Sequence, residues 1–292
     1  MITQPNAGPS LIARNQGVCK MVLLTIMAGD RTFFEWVAYF ITHYWSMFLY
    51  GTGITLLISI TGTIIGFFIG LAIGVIRTFP ASHQETLPKK WLRKCLTFLL
   101  VAYIEIFRGT PMMVQAMVIF YGIPMLFPGV FPPAILAGII IVSINTGAYL
   151  AEIVRGGIMA IDKGQFEAAH TVGMTHTQTM INIILPQAIR NILPALGNEF
   201  VINIKDSSVL NVISVSELFF ESKGIASNSF RFFEVFFVTC IIYFICTFTV
   251  TRLLKLVEKM LEGPANFTIY NAQTSPESEI KISRGGDDHG SF

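Results

Sequence analysis

Residues 46–76 contain no charged side chain, and no other feature limits the possible fold of this chain as strongly. An α-helix rises about 1.5 Å per residue, so the run is long enough to cross a ~30 Å hydrocarbon core even when tilted. Arg77 ends it. Two further uncharged runs follow the same logic, residues 129–151 before Glu152 and residues 235–251 between Glu234 and Arg252. Composition agrees. Only 13% of the 292 residues are charged, 53% are hydrophobic and mean hydropathy is +0.63. A soluble domain carries about 25% charged residues, so a water-soluble enzyme of this length is excluded. The 25 Phe against 3 Trp point toward lipid-facing helices. Lys and Arg at 20 nearly cancel Asp and Glu at 18, which argues against a nucleic-acid binder. Cys19, Cys95, Cys240 and Cys246 show neither CxxC nor metal-ligand spacing and read as apolar fillers. No metal site is expected.

Two other spans are interrupted. Residues 95–125 are apolar except for Glu105 and Arg108, and residues 192–220 contain Glu199, Lys205, Asp206 and Glu217. A charge at a span centre costs several kcal/mol, so these helices should face a bundle interior or an aqueous cavity. For the second segment, a soluble-type amphipathic helix is the alternative. Basic residues set the orientation. Arg77, Lys89, Lys90, Arg93 and Lys94 face a single acid, Glu85, so the first loop should be cytoplasmic. Alternating onward places residues 152–191 inside, residues 221–231 outside, and Arg252, Lys255 and Lys259 inside. The expectation is an all-α integral membrane protein with five transmembrane helices, N-terminus outside and C-terminus inside. The spans fall near 46–76, 95–125, 129–151, 192–220 and 232–251.

Residues 1–45 read as an N-terminal extension. Its residues 21–28 form a short apolar octet like a signal h-region, and a signal anchor is one reading. Phe33, Phe34, Trp36, Tyr39, Phe40, Tyr44, Trp45 and Phe48 suit an interfacial helix leading into the first span, with a sixth span as the alternative. Residues 46–260 form the membrane domain, and residues 261–292 a polar, disordered cytoplasmic tail. Within the first span, Gly62, Gly66, Gly70 and Gly74 form a smooth stripe at every fourth residue. Such a stripe lets another backbone approach closely, in this chain or in a partner.

The loop at 152–191 is too long for a turn and is not of low complexity. A helical stretch begins after Gly164. A second follows Thr175, with Ile181, Leu185, Ile189, Ile192 and Leu196 as one apolar stripe that Pro186 and Pro194 interrupt or kink. Two short helices with a glycine break make a cytoplasmic knob. It is either a docking surface for a soluble partner or an interfacial pair that caps the bundle.

Motifs favour docking. Glu167-Ala168-Ala169, then Gly173 after three residues, then Ile183-x-Leu185-Pro186 after nine, resembles the EAA signature of permease subunits of ABC importers. Glu105-Ile106-Phe107-Arg108-Gly109-Thr110-Pro111 is similar to a stretch of the polar amino-acid permeases, the histidine, glutamine and arginine uptake group. Lys205-Asp206-Ser207-Ser208-Val209-Leu210 resembles a third segment of that group, with Val209 either inserted before the leucine or replacing it. The resemblance covers about residues 46–260. It implies half of a type I importer in a bacterial cytoplasmic (inner) membrane. A second permease chain, identical or homologous, ABC ATPase subunits and an extracytoplasmic amino-acid-binding protein would be its partners. It also implies that Glu167, Ala168, Ala169, Gly173, Ile183, Leu185 and Pro186 form the ATPase-coupling element. ATP and Mg would sit on the ATPase. Independently, the chain has no G-x4-G-K-[ST] phosphate loop and no H-E-x-x-H, so no cofactor and no enzymatic chemistry are expected on it.

Intramembrane charges are the default pathway candidates. Glu105 and Arg108 share a helix face, as do Glu152 and Arg155. An amino acid presents a carboxylate and an ammonium, for which a Glu/Arg face offers a partner each; internal ion pairing is the alternative. Thr110 lies at a helix break whose freed backbone groups need partners. Asn145 and Tyr149 are weaker candidates, and Lys205 with Asp206 is either a structural pair or part of a gate. A secondary transporter or channel for small polar solutes would use the same charges without an ATPase. It would also show internal repeats, and none is visible.

Overall fold

The computed structural model describes residues 31–79, 87–130, 132–261, 268–269 and 280–281. The apolar octet at 21–28 and nearly all of the tail lie outside the described residues. Nine α-helices appear among them, with a two-residue antiparallel strand pair, Thr268–Ile269 with Ile280–Lys281. In chain order the helices are α1 Phe33–Thr78, α2 Leu87–Gly109, α3 Met112–Leu126, α4 Ala134–Met159 and α5 Lys163–Thr171. Then follow α6 His176–Thr179, α7 Leu185–Asp206, α8 Leu218–Ser229 and α9 Phe232–Leu261.

Helices α1, α4 and α9 are long and apolar enough to cross a membrane. Helices α2 and α3 count as a fourth crossing, or as a re-entrant pair, because the chain bends by 114° between them. The apolar stretch expected as one span at 95–125 is therefore two helices. Thr110 precedes Pro111, which disfavours helical backbone at Thr110, and Pro111 itself is extended (φ −64°, ψ 135°).

The span expected at 192–220 has other boundaries. Its helix begins earlier, at Leu185, and stops at Asp206. A 3₁₀ segment, Ser207–Ile213, and a left-handed Ser214 (φ 61°) carry the chain into α8. Glu217 terminates this passage as a helix cap: its carboxylate accepts from Phe219 N–H and Phe220 N–H at 2.8 Å each, and from the Tyr243 hydroxyl at 3.0 Å. Its side chain is fully buried, so this acid is structural. Residues 221–231, expected as an external loop, are mostly the remainder of α8.

The aromatic stretch before the first span is continuous with that span's helix. Helix α1 runs unbroken from Phe33 apart from a bend at Tyr44 (φ −115°, ψ 17°). Its rings divide between two surroundings. Phe40 and Phe48 are buried with Leu218, Ile225 and Val235 of α8 and α9, whereas Phe34 and Trp45 are exposed.

The centre of the molecule is the pair α1 and α4. A Cβ added at Gly62, Gly66, Gly70 or Gly74 would lie 2.5–2.8 Å from Val142, Thr146, Leu150 or Val154 respectively. Both series ascend together, so α1 and α4 run parallel with backbones in close approach. The stripe's partner is in the same chain. Asn203 of α7 ties this pair to the third buried helix, donating to Thr63 Oγ1 at 2.8 Å and Thr146 Oγ1 at 3.0 Å.

Candidate functional site

The break between α2 and α3 leaves carbonyls without helical partners, and one side chain collects them. Gln115 Nε2 lies 2.9 Å from Phe107 O, 2.9 Å from Thr110 O and 2.8 Å from Thr110 Oγ1. Gln115 Oε1 accepts from Asn145 Nδ2 at 2.9 Å, which also reaches Phe107 O at 3.4 Å. Thr110 Oγ1 donates back to Ile106 O at 2.8 Å. Thr110 and Asn145, placed in the pathway on sequence grounds, are thus brought together as the clasp of a bent helix. Gln115 was missed. Its signal is that of a lone amide four residues after a proline break in an otherwise apolar helix.

Beside this clasp, a cleft of about 430 Å³ is lined by Arg77, Val101, Ile104, Glu105, Arg108, Gly109 and Glu152. Three helices supply its charges: α1 carries Arg77 in its last turn, α2 carries Glu105 and Arg108, and α4 carries Glu152. Among the described residues, Glu105 and Arg108 form no ion pair with each other despite sharing a face. The Arg108 guanidinium instead lies 5.4 Å from the centre of the Tyr149 ring. Glu152 receives Arg155 Nε at 3.1 Å and also pairs with Arg77. Arg77, which only ended a span in the sequence, is therefore the partner the Glu152–Arg155 reading lacked. Glu105 and Arg108 remain the exposed, unpaired-with-each-other charges of the cleft.

Lys205 and Asp206 are exposed at the end of α7. Lys205 lines a different cleft of about 340 Å³ with Ser208, Phe219, Phe236, Thr239, Cys240 and Tyr243. Glu199 of α7 lies within electrostatic reach of both Asp206 and Arg108.

The knob at 160–186 is built from local rules. Asp162 caps α5, its Oδ1 accepting from Gly164 N–H at 2.8 Å. The helix closes in a Schellman motif, Gly173 N–H donating to His170 O at 3.0 Å and Met174 N–H to Ala169 O at 3.1 Å. That motif requires a left-handed residue, and Gly173 supplies it (φ 82°). Thr175 then caps α6 through a reciprocal box with Gln178, at 3.3 and 2.9 Å. A π-helical turn, Met180–Ile184, leads into α7, with Leu185 N–H reaching back to Met180 O. The wide turn sits just ahead of Pro186, which has no N–H to donate and crowds the preceding turn.

Buried positions are Met180, Ile184, Ala188 and Ile192, while Ile181 is 58% exposed. Of the stripe expected through Ile181, Leu185, Ile189, Ile192 and Leu196, Ile192 is therefore buried, Leu185, Ile189 and Leu196 are half-buried, and Ile181 points away from the core. Ile183 and Leu185 are half-buried, and Pro186 is exposed. Ala169 and Phe166 hold α5 against the bundle, leaving Glu167, Ala168 and Gly173 on its free side. His176 packs edge-on to Phe79 at 5.1 Å, and burial together with the nearby His170 holds its ring below the ordinary histidine range. No group of three or more His, Cys, Asp or Glu among the described residues is placed to hold a metal ion.

With this geometry in view, residues 70–262 match the family model of the binding-protein-dependent transport system inner membrane component. The glutamine transport system permease protein of Escherichia coli K12 is 35% identical over 73% of this chain and 91% of its own length. A probable amino-acid permease protein of Bacillus subtilis is 37% identical over 72% of this chain and 89% of its own. A chain from a crystal structure of an amino acid ABC transporter with histidines superposes with a TM-score of 0.66 at 38% identity. It covers 75% of this chain and 96% of that one.

Proposed function

Because the chain belongs to the family of binding-protein-dependent transport system inner membrane components, we propose that it is the permease subunit of an ATP-driven importer of polar amino acids. As a permease of this family it is a multi-pass inner-membrane subunit that works with a binding protein and with an ATPase residing on separate subunits. A second permease chain, identical or homologous, completes the pathway, and ATP and Mg act on the ATPase subunits.

The observation carrying this reading is the knob. Its helix α5 presents Glu167, Ala168 and Gly173 outward while Ala169 and Phe166 anchor it to the bundle. A small, rigidly capped helix of this kind is suited to a cleft in a soluble partner. Ile183, Leu185 and Pro186 fix its base through the π turn, so that partner closure moves α4 and α7 with it. Five crossings with the N-terminus outside accommodate this arrangement, α7 serving as the polar fourth crossing. The parallel course of α1 and α4 supports that order, since alternation places the first and third crossings in the same direction.

In this scheme the amino acid passes Glu105 and Arg108, whose opposite charges suit an ammonium and a carboxylate. Tyr149 orients Arg108, Glu152 is held by Arg77 and Arg155, and Lys205 and Asp206 belong to the outer end of the path. Replacing Gly173 by valine tests the coupling role. A β-branched residue is strained at φ 82° although the surrounding space is open. Membrane insertion should persist while ATP turnover stimulated by the loaded binding protein falls to background. Full stimulation in Gly173→Val would remove α5 from the coupling path.

A further inference from the structure

A third cleft, of about 340 Å³, opens where the ends of α1 and α4 meet the start of α5. Its floor is apolar: Ile158 and Met180 are each 2% exposed. Its rim is cationic, carrying Arg77, Arg155 and Lys163. Arg77 and Arg155 share one carboxylate, Glu152. Lys163 has no hydrogen-bond or ion-pair partner among the described residues. The neighbouring acid, Asp162, is engaged by the Gly164 N–H. The rim therefore holds more positive charge than its own acids neutralise.

We propose that this cleft binds the phosphate headgroup of an anionic phospholipid of the cytoplasmic leaflet. This rests on the orientation given above, which puts the ends of α1 and α4 at that leaflet. Guanidinium and ammonium groups are matched to a phosphate, and the buried floor to the glycerol and first methylenes of the chains. A soluble anion would engage the rim and leave the apolar floor wet. Ile76 and Met159, both exposed beside the cleft, extend its apolar surface toward the membrane helices, a lateral path for the chains.

The test is native mass spectrometry of the full chain, purified with its ATPase subunits, after equilibration with equal phosphatidylglycerol and phosphatidylcholine. Phosphatidylglycerol should be retained preferentially. Lys163→Gln should weaken that retention about fivefold, the contribution of one basic residue near an anionic surface. Lys94→Gln, in the exposed basic stretch of α2, should leave it unchanged. Equal retention of the two lipids, or an unaltered Lys163→Gln, would overturn the site. Displacement by millimolar inorganic phosphate would make it a soluble-anion site, and retention only after the ATPase is stripped away would assign the cleft to that partner. Neither ATP nor amino acid is needed, so failure here is distinct from failure of the importer reading.

Discussion

At Gly70 an added Cβ would lie 2.6 Å from Leu150 Cβ and 2.9 Å from the Ala151 backbone nitrogen, which cannot move aside. At Gly53, in the same helix, it would meet nothing within 4 Å. Gly70→Ala should therefore destabilise the fold by about 1–3 kcal/mol through overpacking. Gly53→Ala should be neutral or stabilising by up to about 1 kcal/mol, the helix-propensity gain. Thermal unfolding in detergent reads both, and equal midpoints would contradict the close approach of α1 and α4. Gln115 poses a second residue-scale question. Gln115→Leu removes the amide donor shared by the carbonyls of Phe107 and Thr110, at about 1 kcal/mol for hydrogen bonds to partly exposed groups. Because Asn145 shares its bonds, the double variant with Asn145→Leu should cost less than the sum of the two single changes; strict additivity would separate the residues. The glycine stripe was legible because a period of four is a property of sequence alone. Gln115 was not, since its role exists only once the bend folds α3 back beside Phe107 and Asn145.

At the scale of elements, long apolar helices were readable and interruptions less so. The uncharged run at 46–76 falls inside α1, and the run at 129–151 lies in α4 from Ala134 onward, because apolarity over that length has few other solutions. Charge counting alone joined 192 to 220, whereas Glu217 is a buried cap and not a lumen charge, a distinction that requires the backbone it caps. The knob's glycine break and the start of its second helix were readable at Gly173 and Thr175. The Asp162 cap, which starts the helix ahead of the expected start after Gly164, and the π turn were not. His176 lies just ahead of that turn and gives the knob a pH dependence. Its ring is held below the usual histidine value of about 6.5 by burial and by His170. Above that pH both folded and unfolded forms are neutral, so its stabilisation is complete. As pH falls below it, the unfolded loop takes up a proton that the packed ring resists, and stability is lost. Amide exchange across residues 176–184, corrected for intrinsic rates, should accelerate between pH 7.5 and 5.5. His176→Phe should abolish the difference; an unchanged acid response in that variant would place the titrating group elsewhere.

The whole molecule leaves much of its apolar surface uncovered. Val118 and Met125 of α3, Phe98 of α2 and Phe244 and Met260 of α9 are all well exposed, as expected for a chain that faces lipid and, in the proposed assembly, a second permease. At the inner end, by the proposed orientation, the apolar character stops and three features meet: the Arg77–Glu152–Arg155 cluster, the cleft holding Glu105 and Arg108, and the capped knob. A movement of α5 therefore reaches the charges of the candidate pathway through α4, whose Glu152 is close to the end of the helix that leads into the knob, and through α1 and α7, which pack in the same cluster as Phe166. The central claim is that this chain converts work done on the knob into import. The most direct measurement is ATP turnover and uptake of labelled polar amino acid in liposomes containing this chain, its ATPase and the binding protein. The account predicts that turnover rises with loaded binding protein and that uptake requires both ATP and that protein. Uptake that proceeds without ATP, or turnover indifferent to every polar amino acid presented, would contradict it.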